Sequence, residues 1–384
     1  MTLSPPLLII VVGAGLIGPR HAQHVKSNPS TTLSALIDPS PNAKKVAQDL
    51  QTPCYLSIEE YFVYLQENNL NAPDGALICT PNHTHIKIAA DLASRGVNLL
   101  IEKPVSICPE EAKALKCFVQ DKDVQVLVGH HRRFNPFIIA AKENLDSVGD
   151  VIAVQGSWAL KKPLSYFTAS PWRTDSRSGG GPLLINLIHD IDILQYLFGK
   201  IERVYAEPIK KQRTAFTNVD EGASIVMRFE NGITGTFICA DNVTSSFNFE
   251  AGTGENPLIP TDDKIEGFYR IFGSKGTLSV PDLTLYHQQD LPDHEHGWNS
   301  PVSQTTLLNK RSHLRQLLPF DAQLDHFVDI IRGKADPLCT IDDGMSSLLC
   351  IDAILKSLAT ELPERVKSVK DIEPDFEALG VVNT

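Results

Sequence analysis

No run of apolar residues in this chain is long enough to cross a membrane, and no Lys/Arg-rich cluster stands out. The first absence excludes a membrane-spanning helix. The second, with 35 Lys and Arg against 46 Asp and Glu and a net charge of −11, argues against nucleic acid or an anionic membrane as partner. There is no Cys-x-x-Cys; the seven cysteines are scattered singly. An odd, dispersed set suits free thiols in a reducing compartment, so a cytoplasmic protein is expected. The N-terminus has neither a basic n-region nor a small-residue cleavage site, and no signal peptide is expected. Three histidine pairs, His83-x-His85, His130-His131 and His294-x-His296, join no cysteine or carboxylate at zinc-like spacing, so no metal is expected. Internal repeats and low-complexity tracts are absent. What is present is an ordinary globular composition, 42% hydrophobic over 384 residues, enough for two domains with large cores.

The chain is organised around Leu7-Leu8-Ile9-Ile10-Val11-Val12-Gly13-Ala14-Gly15-Leu16-Ile17-Gly18. Six apolar residues, four of them β-branched, read as a strand buried on both faces of a parallel sheet. The Gly-x-Gly-x-x-Gly that follows opens a helix over about 16–26. Gly13 permits the tight turn, Gly15 lets a phosphate approach the backbone, and Gly18 lets the helix pack closely on the strand. The helix N-terminus offers free N–H groups and partial positive charge to a pyrophosphate, with Leu16 and Ile17 in that turn. Twenty positions beyond Gly18, Asp38 closes a second strand over 31–37. A carboxylate there accepts the ribose hydroxyls of NAD and repels the 2′-phosphate of NADP. Dinucleotide binding is the reading, with NAD ahead of NADP.

Up to about residue 125, strand and helix signals alternate, which demands right-handed crossovers and a doubly wound parallel sheet. A capping box, Ser57 with Glu60, starts one of the helices. Ligands in such folds sit beyond the carboxyl ends of the strands. That singles out Thr80-Pro81-Asn82-His83, Glu102-Lys103-Pro104 and the run from His130 to Pro136. Near Gly149 the character changes to alternating strands, including a pair joined at Asn231-Gly232, with helices over about 183–198, 320–332 and 344–362. The stretches 251–263 and 288–303 read as polar loops. The expected fold is therefore α/β: a dinucleotide-binding Rossmann domain over 1–130, then an α+β domain over 131–384 with a large, mostly antiparallel sheet for substrate binding and oligomerisation.

Together, Gly13-x-Gly15-x-x-Gly18, Cys79-Thr80-Pro81-Asn82-x-x-His85, Glu102-Lys103-Pro104, Arg133-Phe134-Asn135-Pro136, Trp172-Arg173, and Gly179-Gly180-Gly181 leading to His189-x-x-Asp192 resemble one family. It is the glucose–fructose oxidoreductase / inositol dehydrogenase / MocA (Gfo/Idh/MocA) family, and the match covers nearly the whole chain. Gly-Gly-Gly-Pro-Leu-Leu-Ile-Asn at 179–186 also resembles the branch holding a quinate-utilisation oxidoreductase. The resemblance implies an NAD-dependent dehydrogenase or reductase acting on a secondary alcohol of a sugar, cyclitol or related polyol. It implies a catalytic Lys103, Glu102 in the cofactor site, an unusual peptide bond before Pro104 and a homodimer or homotetramer. Thr80, Pro81, Asn82, His85, Arg133, Trp172 and Arg173 are expected at the cofactor, with Asn135 lining the pocket.

An ammonium at Lys103, just after a strand, can stabilise negative charge growing on a substrate oxygen. His189 matches the family's proton acceptor, and an imidazole suits general-base work. Many members carry an aspartate four residues before that histidine; here the position is Ile185, followed by Asn186. Asn186 can bind substrate but cannot take a proton as a carboxylate does. Asp192, three residues past His189, either orients the imidazole or caps local backbone. The family also holds NAD-assisted glycoside-cleaving enzymes and non-catalytic NAD-binding sensors; loss of the lysine or histidine would favour a sensor, and both are present.

Overall fold

The apolar runs form the strands they predict. In the computed structural model, which describes residues 5–216, 218–307 and 314–380, the first run is β1 (Leu7–Val12), whose Ile9, Ile10 and Val11 have no exposed surface. Burying each such side chain contributes about 1.5–3 kcal/mol relative to exposure. β2 (Thr31–Ile37), β3 (Cys54–Tyr55), β4 (Gly75–Ile78), β5 (Asn98–Glu102) and β6 (Val126–Gly129) complete a sheet of order β3-β2-β1-β4-β5-β6, with every pair parallel. The order reverses between β1 and β4, the switch point at which such sheets bind dinucleotides. The capping box forms: Ser57 Oγ accepts from Glu60 N at 3.1 Å, and Glu60 Oε2 accepts from Leu56 N at 2.6 Å. β3 escapes sequence reading because two residues at a sheet edge carry no periodicity.

The chain divides into two compact units, and each takes in separate stretches of sequence: 1–131, 320–346 and 368–384 in the first, 132–319 and 347–367 in the second. The boundary expected after residue 130 falls where the first stretch of the first unit ends, and two later stretches join that unit. The reason is packing: Phe327 and Ile331 lie against Gly75 of β4, and Val128 N donates to Cys339 O at 2.9 Å, so late segments complete the first unit's core.

The second unit is built on β7 (Val151–Ala159), β8 (Ile201–Pro208), β9 (Gly222–Phe229), β10 (Thr234–Ala240), β11 (Tyr269–Gly273), β12 (Gly276–Val280), β13 (Thr284–His287), β14 (Ser303–Thr306) and β15 (Glu364–Arg365). They form one nine-stranded sheet, β14-β13-β12-β11-β7-β10-β9-β8-β15. All pairs are antiparallel except β7 with β10, which run parallel. β9 and β10 alternate buried and exposed positions, so one face carries the core and the other looks outward. The short helix Phe249–Thr253 runs into the stretch expected as a loop over 251–263, and β14 starts where the one expected over 288–303 ends. Among the described residues no helix is long and apolar enough to cross a membrane.

Candidate functional site

In the first unit the glycine turn has the predicted geometry. Gly13 has φ +102°, and a Cβ there would meet Cys79 O at 2.6 Å; a Cβ on Gly18 would meet Gly13 O at 1.9 Å. Only glycine fits at either position. At Gly15 a Cβ would meet nothing within 4 Å, so the backbone lies open, and the helix Gly18–Ser27 begins beside it. Leu16, 80% exposed, stands at the lip. Asp38 Oδ2 accepts from Ala14 N at 2.7 Å and Oδ1 from Ser40 N at 2.7 Å, which ties the acidic strand end to the turn. This cradle fits a dinucleotide: open backbone for a pyrophosphate, amide donors at a helix start and a carboxylate at the second strand's end.

Beyond β4, Thr80 Oγ1 accepts from Thr84 Oγ1 at 2.7 Å, and Pro81 is exposed with Asn82 half-buried. His85 is 1% exposed, and its ring nitrogens lie 2.9 Å from Pro104 O and 2.9 Å from Thr80 O. It bridges the loops that follow β4 and β5. Lys103 follows β5 directly, half-buried, and the Lys103–Pro104 peptide is cis. Glu102 is buried; Oε1 pairs with His21 Nε2 at 2.8 Å and Oε2 accepts from Lys103 N at 3.1 Å. Burial pushes the Glu102 carboxyl up, but the hydrogen bond and charge of His21, with the charges of His131 and Lys103, outweigh it and hold it at about 2.

In the second unit the predicted helix over 183–198 forms in two parts. Leu183–Leu187 is a π-helical turn and Ile188–Phe198 is α-helical. Such π turns are frequent at functional sites, and nothing in the residue pattern announces this one. Asn186 lies in the π turn and its Oδ1 accepts from Lys162 Nζ at 2.7 Å. His189, 7% exposed, lies in the first turn of the α-helical part. The carboxylate of Asp192 takes the fork of Arg133, whose Nε and Nη2 donate to it at 2.9 and 2.7 Å. Arg133 is 4% exposed and engaged in that pair. Asn135 caps the helix Pro136–Glu143 and donates to Glu255 at 3.2 Å. Trp172 is 42% exposed, and Arg173 lies 4.1 Å over the Tyr166 ring while donating to Tyr166 O at 2.7 Å.

Two groups escape sequence reading. Arg132 is 2% exposed and meets Glu250 at 2.8 Å, Glu255 at 2.9 Å and Asp190 at 3.3 Å. Trp158 donates to Glu250 and Tyr269 to Asp190. With three carboxyls around one guanidinium, burial raises Asp190 to about 7, partly offset by Arg132 and the Tyr269 hydroxyl. The partners stand 58, 118 and 123 residues away, so no spacing could have shown them. Lys162 is the second; its place three residues past the end of β7 was the available signal.

These features define a two-unit protein whose first unit is a dinucleotide-binding Rossmann fold. Sequence profiles of one family match both units: "Oxidoreductase family, NAD-binding Rossmann fold" over residues 7–130 and "Oxidoreductase family, C-terminal alpha/beta domain" over residues 142–364. The chain belongs to the Gfo/Idh/MocA oxidoreductase family. It is 23% identical over 357 residues to an inositol 2-dehydrogenase of Rhizobium meliloti, covering 91% of this chain and 96% of that one. It is 24% identical over 371 residues to a scyllo-inositol 2-dehydrogenase (NAD(+)) of Bacillus subtilis, covering 92% and 94%. An oxidoreductase from Agrobacterium radiobacter, solved in complex with NAD+, L-tartaric acid and magnesium, has the same fold, with TM-score 0.74 and 17% identity over 94% of this chain and 98% of that one.

Proposed function

We propose that this protein is an NAD-dependent dehydrogenase or reductase for a secondary alcohol or ketone of a sugar, cyclitol or related polyol. The observation that carries the reading is the open backbone at Gly15 with Asp38 bound to the same turn. Bound NAD supplies or accepts the hydride. Gly13, Gly15, Leu16, Ile17 and Gly18 hold its pyrophosphate, and Asp38 takes the ribose hydroxyls. Asp38 opposes a 2′-phosphate, and Pro39-Ser40 brings no arginine to counter it, so NAD is preferred over NADP. Lys103 stabilises the substrate oxygen as negative charge grows on it. His189 removes the hydroxyl proton, and Asn186 binds and orients the substrate. Membership of an oxidoreductase family and relatives named as inositol dehydrogenases support the substrate class. Outward apolar side chains on the sheet, Ile152, Val226, Ile238 and Phe272, favour a homo-oligomer. All seven cysteines are free thiols, which suits a reducing cytoplasm.

The test is NADH absorbance with myo- and scyllo-inositol, hexoses, quinate and their keto forms, with glycoside cleavage assayed in parallel. Turnover with NAD above NADP is expected, and Lys103→Ala loses at least ~10²-fold in kcat while NAD binding survives. Glycoside cleavage without net NADH, or wild-type turnover in folded Lys103→Ala, overturns the reading. A concentration-independent monomer in light scattering removes the oligomer.

A further inference from the structure

The ammonium of Lys162 is the group the sequence reading leaves unexplained. Its side chain is 7% exposed, 4.6 Å from the Tyr166 ring and 5.5 Å from the Trp158 ring. Its backbone N donates to Asp241 O at 2.9 Å, and Lys161 forms a β-bridge with Asn242, so the residue is pinned at the edge of the sheet. Asp241 Oδ2 lies 3.8 Å from Nζ, while Asn186 Oδ1 lies at 2.7 Å. An ammonium has only donors, so the atom it meets on Asn186 must be the amide oxygen. The Nδ2 hydrogens of Asn186 then have no protein partner among the described residues.

We propose that Lys162 is a positioning residue of the proposed dehydrogenase site: it fixes the amide of Asn186 so that its NH2, not its oxygen, faces substrate. The inference rests on the reading of Asn186 as a substrate-binding residue. Where many family members place an acid at 185, this chain offers a donor at 186, and the substrate oxygen opposite it accepts a hydrogen bond. That oxygen is a hydroxyl, carbonyl or carboxylate oxygen next to the reacting carbon. The tether belongs to the charged form: burial lowers Lys162 to about 8, against the charges of Asp241, Cys239, Asp220 and Glu250, and below that pH the ammonium, having only donors, meets the amide oxygen alone.

The test uses the full chain with NAD bound. The side-chain amide of Asn186 is observed by NMR with 15N-asparagine labelling, assigned by its loss in Asn186→Asp. Lys162→Met should shift those signals and Lys162→Arg should leave them near wild type. Kinetics with myo-inositol, scyllo-inositol and quinate as probes should show Lys162→Met raising KM about tenfold, the scale of one hydrogen bond, with kcat nearly kept and Lys162→Arg recovering most of the loss. Unmoved Asn186 signals in Lys162→Met overturn the proposal. So does loss of the pH dependence of kcat, which makes Lys162 an acid or base instead. If none of the probes is oxidised, the substrate reading fails, and the NMR result still decides the role of Lys162.

Discussion

Glu102 in the first unit and Asp190 in the second are both buried carboxyls beside a cationic partner, yet they are driven in opposite directions. Burial raises both. At Glu102, His21, His131 and Lys103 surround one carboxylate, and it is held at about 2. At Asp190 one guanidinium serves three carboxyls, and it rises to about 7. Burial alone does not decide whether a buried acid is charged; the local count of charges does.

Breaking the second cluster at its centre should have the largest effect. Arg132→Met leaves three buried carboxyls without their cation and should cost about 3–5 kcal/mol, read as loss of soluble protein or a lower denaturant midpoint. A near-wild-type midpoint would mean that the cluster is not held by Arg132.

Glu102→Gln comes next. Its folded-state pKa lies below the ordinary 4.5, so the carboxylate stabilises the fold above that pH, by up to about 3 kcal/mol, and the contribution fades as pH falls toward 2. The gap in melting temperature between wild type and Glu102→Gln should therefore be full at neutral pH and narrow in acid. A pH-independent gap would contradict the charged state of Glu102.

Asp190→Asn should do little. A raised pKa means that the folded protein keeps a proton the unfolded chain releases, so this contribution to stability declines as pH rises from 3.8 to about 7. At pH 6 a neutral amide replaces a largely neutral acid, and the change should stay within about 1 kcal/mol. A loss as large as that of Glu102→Gln at the same pH would erase the contrast.

The smallest effect is expected from Asn186→Asp. A carboxylate near His189 should raise the apparent pKa of the imidazole, but Lys162 at 2.7 Å neutralises most of it. The pH profile of oxidation should barely move in Asn186→Asp and move upward once Lys162→Met is added. A large shift in the single variant would show that Lys162 does not screen that position.

The first unit was the more legible of the two because its determinants are local. The turn at Gly13, Gly15 and Gly18 lies in six consecutive residues, and Asp38 stands at the end of the next strand. Backbone sterics and strand burial act over such short spans, so β1, the turn and the helix Gly18–Ser27 follow from the residues themselves. His85 and Arg133 went the other way. Both were read from a motif's residue types alone, and their contacts with Pro104 O and Asp192 are set by packing.

The sequence by itself determined a parallel dinucleotide-binding sheet, a largely antiparallel second sheet and the residue types available for hydride chemistry, since these depend on periodicity and on near neighbours. Only the tertiary structure decided that late segments complete the first unit, that β7 and β10 run parallel, that a π turn carries Asn186 and that Lys162 meets it. Those depend on which distant residues exclude water together. A buried charge takes whatever partner the fold brings within hydrogen-bonding distance, however far along the chain that partner lies.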